Sequence, residues 1–216
     1  MKTITLLLTF SLVLTSTLFA QTNNNEAKKE INKKAMKMAR KEAKRLLKEG
    51  WNVAPGSLPL EKLLEQSYLK AEIKNDKGTV KYLFSDGNGV AETKINAENQ
   101  ALEFATYSLA SQIETNIGAL TKMGLSNEQL SNSEAASITK VMTNSTKIIA
   151  QKLGYIEPVF KIYRVVPGNK NNTEVQMRIF YEVEQSMRIA KQFLKEELKD
   201  ELKIQEKQLD KLMGID

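Results

Sequence analysis

The clearest pattern in this chain is the alternation of apolar and polar side chains in Thr173-Glu174-Val175-Gln176-Met177-Arg178-Ile179-Phe180-Tyr181-Glu182-Val183. A period of two residues is typical of a β-strand with one buried face. The apolar segment Tyr155–Val166 predicts a second strand, and Pro167–Asn172 between them has the residues of a turn. The two strands are therefore predicted to form an antiparallel hairpin.

A third strand is predicted before the middle of the chain, where Val80, Tyr82 and Phe84 alternate with polar residues. It is interrupted by Asp86-Gly87-Asn88-Gly89, which allows two alternatives. The Asn-Gly pair suits a tight hairpin leading to Val90–Ile95, or the strand bends and runs on toward the next helix. The glycines precede a helix predicted to begin at Asn96 by several residues, so we interpret them as a bend or turn rather than a phosphate cradle.

Apolar residues at helical spacing predict five helices around these strands. The last one is predicted to be continuous and about 45 Å long, at 1.5 Å per residue, so that its end overhangs a compact domain. The fold class is therefore α+β, with a small antiparallel sheet of about three strands covered by helices and with long amphipathic helices at both ends. The predicted helices span residues 26–49, 60–71, 96–123, 133–153 and 184–213.

The first twenty residues have the layout of a secretory signal peptide. A basic start at Lys2 precedes the apolar run Ile4–Leu14, and Ala20 offers a small residue at the cleavage position. We expect the exported protein to begin at Gln21 and to be periplasmic, associated with the outer membrane, or secreted. The predicted divisions are a signal peptide (1–20), a disordered leader and basic amphipathic helix (21–50), a Trp/Pro loop and helix (51–78), an α+β core (79–183) and a C-terminal helix (184–216).

The composition excludes several chemistries. The chain has no cysteine and no histidine, which removes thiolate metal sites, Ser-His-Asp and Cys-His nucleophiles, and the usual general base near neutral pH. Without cysteine the chain is also not lipid-anchored. We therefore expect no enzyme activity, no cofactor and no metal. A glycan hydrolase that uses two carboxylates is the least favoured alternative.

Three positions are candidates for binding or packing. Trp51, the single tryptophan, lies in a loop with two prolines and is either a partner contact or a plug between the first helix and the next. Arg164 and Arg178 lie in the two predicted hairpin strands. They either bind an anionic ligand on an open sheet face or pair with Glu157, Glu174 or Glu182 across the hairpin.

The two terminal helices carry more apolar surface than a small sheet can cover. A helix whose apolar stripe overhangs its domain is typical of one that packs on a partner helix, as in a coiled coil. The sequence therefore predicts a homo-oligomer or a complex with an envelope protein, through Ile31–Leu46 and through a C-terminal seam that contains Leu198, Leu202, Leu209 and Leu212.

The alternative function is attachment to a charged surface. Glu26–Gly50 holds ten basic and four acidic residues, a net charge of +6, together with an apolar stripe. This is the composition of a basic interfacial helix, which predicts weak, salt-sensitive contact with anionic envelope lipid or polysaccharide. Nucleic acid is not an expected partner, because the chain is exported and its cations are mostly lysine.

Two segments resemble known exported proteins. A run in uncharacterised Bacteroidetes-type proteins resembles Lys48-Glu49-Gly50-Trp51-Asn52-Val53-Ala54-Pro55-Gly56-Ser57-Leu58-Pro59-Leu60-Glu61. The central helix of the twenty-kilodalton outer-membrane lipoprotein domain family is similar to Asn99-Gln100-Ala101-Leu102-Glu103-Phe104-Ala105 and Leu109-Ala110-Ser111-Gln112-Ile113. The resemblance covers about Val80–Val183 and implies a bent, glycine-bearing strand before that helix and two strands after it. It implies no activity, and this chain lacks the family's lipid-bearing cysteine.

Overall fold

The computed structural model describes residues 13–143, 145–198 and 206–213. The predicted α+β class is confirmed, with helices around a three-stranded antiparallel sheet. In chain order the elements are α1 (Val13–Lys48), α2 (Leu60–Ala71), β1 (Tyr82–Ala91), α3 (Lys94–Ser126), α4 (Asn132–Met142), α5 (Thr146–Leu153), β2 (Pro158–Val166), β3 (Asn169–Glu182), α6 (Val183–Glu197) and α7 (Glu206–Met213).

The predicted hairpin is the centre of the sheet, whose strand order is β1-β3-β2. The side chains of Val175, Met177 and Ile179 are buried on one face of β3, as their alternation predicts. This face packs on α3, while α1 and α2 cover part of the other face. The sheet therefore separates a layer formed by α3 from a layer formed by α1 and α2.

Strand β1 is continuous and pairs with β3 along its whole length, from Tyr82 opposite Glu182 to Ala91 opposite Thr173. The hairpin alternative for Asp86–Gly89 is therefore wrong, and this segment is part of the strand. A Cβ atom at Gly87 would lie 1.9 Å from the carbonyl oxygen of Ala101 in α3. The glycines thus replace side chains that would hold the helix away from the sheet.

The buried face of β1 differs from the prediction. Val80 and Phe84 are 51% and 39% exposed, whereas Ser85 is buried and donates a hydrogen bond of 2.6 Å to the carbonyl oxygen of Ala105. Phe84 lies on the opposite face of the sheet, toward α1 and α2, because α3 approaches β1 too closely at Ser85 to leave room for a large side chain there.

Helix α3 begins at Lys94 with Thr93 as its N-cap, slightly before the predicted start at Asn96. Small residues on its first turns face the sheet, and larger ones farther along face the helical core. Phe104, predicted to lie on the inner face, is 65% exposed. The buried residues of α3 include Ala97, Ala101, Ala105, Leu109, Ile113 and Ile117.

The helix predicted over 133–153 is divided into α4 and α5. The break falls after Met142, where Thr143 and Ser145 have low helix propensity and the amide of Ser145 donates to the carbonyl oxygen of Met142 at 3.0 Å. Helix α5 ends at Gly154, which has a positive φ of 67° and was the predicted stop.

The N-terminal helix α1 includes residues 21–25, which the sequence predicted as a disordered leader. These polar residues have modest helix propensity, but extending an existing helix is much easier than nucleating one. Residues 28–34 are all exposed, and Ala35 after them is buried. Most of the predicted signal peptide, residues 1–12, lies outside the described residues. No helix in the described part of the chain combines the length and apolarity that crossing a bilayer requires.

The C-terminal helix, predicted to be continuous and about 45 Å long, is not continuous. Helix α6 ends at Glu197, and α7 packs back against α3 and α6. The ammonium group of Lys191 in α6 forms an ion pair with the carboxylate of Asp210 in α7. A continuous helix would separate these two residues by about 28 Å along its axis. The chain therefore reverses between α6 and α7 because this arrangement buries the apolar side of α7 in its own core.

Candidate functional site

Trp51 is a structural plug. It is 2% exposed and packs in a cluster between α1, α2 and β2 that includes Leu46, Leu64 and Ile162. The guanidinium carbon of Arg164 lies 4.5 Å from the centre of the Trp51 ring, a cation–π contact. The structure therefore favours the packing interpretation over the interpretation of Trp51 as a partner contact.

The two hairpin arginines both form ion pairs. Arg164 Nε lies 2.7 Å from Glu174 Oε2, its cross-strand neighbour in the sheet, as predicted. Arg178 pairs instead with Asp86 on β1, which the sequence placed in a turn. Two of its three guanidinium nitrogens donate to Asp86, Nε to Oδ1 at 2.6 Å and Nη2 to Oδ2 at 2.7 Å.

The predicted C-terminal contact residues lie inside the protein. Leu198, Leu209 and Leu212 are 4%, 3% and 5% exposed, and Leu198 and Leu212 belong to the main core around α3. Leu202 lies outside the described residues. The seam expected to bind a partner is, for these three leucines, part of the fold of the chain itself.

A cleft opens between α1, α2 and the outer face of the sheet. One part of it, which we call the polar chamber, has a volume of about 310 Å³. Asp86, Asn88, Gln176 and Arg178 lie on neighbouring positions of β1 and β3, where Asp86 faces Arg178 and Asn88 faces Gln176. Glu42 of α1 and Tyr68 of α2 line the opposite wall.

Hydrogen bonds fix the charges of the polar chamber. Two bonds from Arg45 lower the pKa of Glu42, so its carboxylate stays ionised at neutral pH. The bonds with Asp86 raise the pKa of Arg178, which also donates to Ser67 Oγ at 3.2 Å. Burial raises the pKa of Tyr68, so its hydroxyl remains a donor.

A second cavity of about 430 Å³, which we call the apolar chamber, adjoins the polar chamber and shares Tyr68 and Arg178 with it. Its other walls are mostly apolar side chains of α1, α2 and β1, and the charged residues Lys34 and Glu72 complete the lining. The apolar residues are Ile31, Ala35, Met38, Ala71 and Phe84. The cleft therefore has a polar end and an apolar end.

The outer face of α3, defined here as the exposed residues between Phe104 and Ala119, is the other distinctive surface. Phe104 and Tyr107 are 65% and 52% exposed beside an open groove of about 480 Å³. The single charged residue in this stretch, Glu114, accepts a hydrogen bond from Thr146 of α5. The exposed part of the face therefore combines two aromatic rings with small uncharged side chains, among them Ser108, Ser111 and Thr115, in a chain with 27% charged residues.

Gly118 lies on the same face, and nothing in the fold explains it. A Cβ atom built there would meet no atom within 4 Å. Glycine inside a helix costs about 1 kcal/mol relative to alanine. The position therefore carries a stability cost with no packing benefit inside this chain, in contrast to Gly87 in β1.

The comparisons with known proteins identify no relative: no family model, no curated protein and no solved structure matches this chain. The resemblance to the twenty-kilodalton outer-membrane lipoprotein domain family therefore stays a prediction. Within residues 13–143, 145–198 and 206–213, no group of three or more carboxylate residues is placed to hold a metal ion.

The sequence offered Arg178 as a possible ligand-binding residue on the sheet, but it located neither surface. The cleft combines α1, α2, β1 and β3, and no periodicity within one element reports that combination. The outer face of α3 had a readable signal, since Ala105–Thr121 contains one charged residue. Phe104 was assigned to the inner face because both faces of this helix carry apolar residues.

Proposed function

We propose that this chain is an exported, non-enzymatic protein of the cell envelope that acts by binding protein, and that its partner is a second copy joined through the outer face of α3. Two exposed aromatic rings, Phe104 and Tyr107, on a face without exposed charge carry the proposal. Exposed apolar patches mark interaction surfaces, and protein interfaces are rich in aromatic and poor in charged residues at their centres. Gly118 supplies a depression in that face.

An antiparallel pair of α3 helices is self-complementary. With a two-fold axis between Gln112 and Ile113, Tyr107 of each copy lies over Gly118 of the other. The same axis brings Glu103 toward Lys122, and both residues are exposed at the ends of the uncharged stretch. Each two-fold contact is made twice, so two aromatic rings and two opposite-charge pairs close the interface.

Light scattering and sedimentation velocity of the purified protein test this proposal at about 1–100 µM, the range where micromolar association is visible. We expect a dimer for the natural sequence and a monomer for Gly118→Leu, because leucine fills the depression under Tyr107. Ala136→Leu, an equivalent change at an exposed position of α4, is the matched control and should remain dimeric. A monomeric natural protein, or a dimer that tolerates Gly118→Leu, would contradict the proposal.

The non-enzymatic part of the proposal is supported by the state of the cleft carboxylates. A general acid needs a carboxyl group with a raised pKa, whereas Arg45 lowers the pKa of Glu42. Asp86 is held by two hydrogen bonds from Arg178. A hydrolase screen on cell-wall and polysaccharide substrates tests this part. Turnover that disappears in Glu42→Gln would overturn it.

A second candidate function is contact with anionic surfaces through α1. Residues 28–34 are exposed and include Lys28, Lys29, Lys33 and Lys34. Each lysine near an anionic surface contributes about 1 kcal/mol, which salt screens. Sedimentation with anionic vesicles should show binding at low salt that disappears at high salt and in the variant with all four lysines changed to glutamine. Binding that is unchanged at high salt would contradict this mechanism.

A further inference from the structure

The cleft between α1, α2 and the sheet has the features of a small-molecule site. Each of its chambers lies within the range of about 300–1,000 Å³ found for ligand pockets. Polar side chains converge at one end and apolar side chains at the other. This site is independent of the outer face of α3, which lies on the opposite side of the sheet.

The charge of the polar chamber disfavours an anionic ligand. Glu42 and Asp86 are negative, and the two arginines that balance them, Arg45 and Arg178, are already paired with these carboxylates. The guanidinium of Arg178 is already engaged by both oxygens of Asp86 and by Ser67. An incoming anion would have to displace Asp86 and would face the ionised carboxylate of Glu42.

The same side chains suit a ligand with many hydroxyl groups. Carboxylate oxygens accept more than one hydrogen bond, so Glu42 and Asp86 keep acceptor capacity beyond their arginine partners. The opposed amides of Asn88 and Gln176 can each both donate and accept, as a hydroxyl does. Asn88 Nδ2 donates one hydrogen bond to Glu174 Oε1 at 3.1 Å, which leaves its second amide hydrogen and its carbonyl oxygen for a ligand. Tyr68 adds an apolar ring face and a hydroxyl donor.

The apolar chamber indicates the chemistry of the second part of the ligand. It continues from the polar chamber at Tyr68 and Arg178, and Met38 and Phe84 leave apolar surface exposed to it, at 47% and 39%. Covering such apolar surface with an apolar group is favourable. We propose that the cleft binds a neutral glycoside, with its sugar in the polar chamber and an apolar aglycone in the apolar chamber.

Fluorescence titration with octyl glucoside below its micellar concentration tests this proposal. Trp51 is the single tryptophan, and Leu46, Leu64 and Phe160 belong both to its cluster and to the wall of the polar chamber. We expect a saturable change in Trp51 emission, at least tenfold weaker binding of glucose alone, and no saturable response to octyl sulfate.

Two variants separate the site from general detergent binding. Gln176→Leu removes polar groups of the chamber and should weaken octyl glucoside binding at least tenfold, with the amide resonance of Asn88 no longer shifted on titration. Gln151→Leu, an exposed change on α5, should bind as the natural protein does. Thermal melts identify any variant that fails to fold, in which case Asn88→Ala replaces Gln176→Leu. The absence of saturable binding, equal binding of octyl sulfate, or unchanged binding in a folded cleft variant would overturn the assignment.

Discussion

At the scale of single residues, three glycines of this chain show how one residue type serves different purposes. Gly87 and Gly89 let the sheet approach α3, since Cβ atoms there would lie 1.9 and 2.1 Å from carbonyl oxygens of the helix. A Cβ atom at Gly118 would have no neighbouring atom within 4 Å. The first two glycines are therefore required by the fold, whereas the third is available for an intermolecular role.

This contrast gives opposite expectations for the same substitution. Gly87→Ala should destabilise the protein by about 3 kcal/mol or more, because its Cβ meets backbone that can yield only if α3 shifts. Gly118→Ala should stabilise it by about 1 kcal/mol by improving helix propensity. Urea denaturation of both variants measures the two changes. Equal effects at the two positions would show that the close contact at Gly87 is absent in solution.

The contacts of a single side chain could be predicted where they depend only on two strands that are neighbours in sequence. The cross-strand pairing of Arg164 with Glu174 follows from the alternation of two strands and is confirmed. The pairing of Arg178 with Asp86 was missed because it depends on β1 being continuous and lying beside β3. The segment Asp86–Gly89 contains an Asn-Gly pair, which by itself predicts a turn. The chain stays extended there because α3 packs against this part of β1.

At the scale of elements, α4 has the most complete local signal. Ser131 Oγ accepts from the amide of Glu134 at 3.3 Å, and Glu134 Oε2 accepts from the amide of Ser131 at 2.7 Å. This is a capping box. The bond from the Ser131 amide to Glu134 Oε2, together with one of 2.7 Å from the Ser131 hydroxyl to the same oxygen, lowers the pKa of Glu134, so the cap is linked to pH.

Ser131→Ala should cost about 1 kcal/mol at pH 7. Because the pKa of Glu134 is lower in the folded than in the unfolded chain, its contribution is complete above the unfolded value of about 4.5 and is lost as the pH falls through the folded value. The stability difference between the natural protein and Ser131→Ala should therefore shrink below pH 4.5. Denaturation series at pH 7, 4.5 and 3 measure it. A difference that grows on acidification would contradict the linkage.

Helix α7 shows why amphipathic pattern alone misplaces a terminal helix. The periodic leucines after Glu184 are compatible with one long helix that exposes an apolar seam and also with two shorter helices that pack against each other. Burial of Leu212 and Met213 in the main core distinguishes the two arrangements. The pattern specifies an apolar stripe, but the partner that covers it is determined by the rest of the molecule.

Leu212→Ala is therefore expected to destabilise the folded protein by about 2–5 kcal/mol, since it opens a cavity beside Gly124 and Leu130. It should leave the oligomeric state unchanged. Leu47→Ala, at a leucine of α1 that is 56% exposed, is the control and should change stability by about 0.5 kcal/mol or less. A nearly unchanged melting temperature for Leu212→Ala would show that α7 does not pack in the core and would favour the continuous helix.

At the scale of the whole molecule, the sequence predicted the class and the central hairpin but neither candidate site. The class follows from periodicities that each element carries by itself. The cleft depends on which face of the sheet α1 and α2 cover, and the outer face of α3 depends on what the sheet leaves uncovered. Both are properties of the assembled layers, and the polar residues 176 and 178 appeared merely outward-facing before those layers were known.

The charges at the ends of the outer face of α3 provide a test of the whole assembly. In the proposed antiparallel dimer, Glu103→Lys places two like-charge pairs across the interface, and Lys122→Glu does the same with the opposite sign. Each single change should raise the dimer dissociation constant about five- to tenfold at low salt, and the double change should restore it because the pairs are re-formed in reverse. Sedimentation equilibrium at low and high salt measures these constants, and high salt should reduce the differences. Additive weakening in the double variant would exclude the antiparallel arrangement, because only a contact between residues 103 and 122 makes the two reversals compensate.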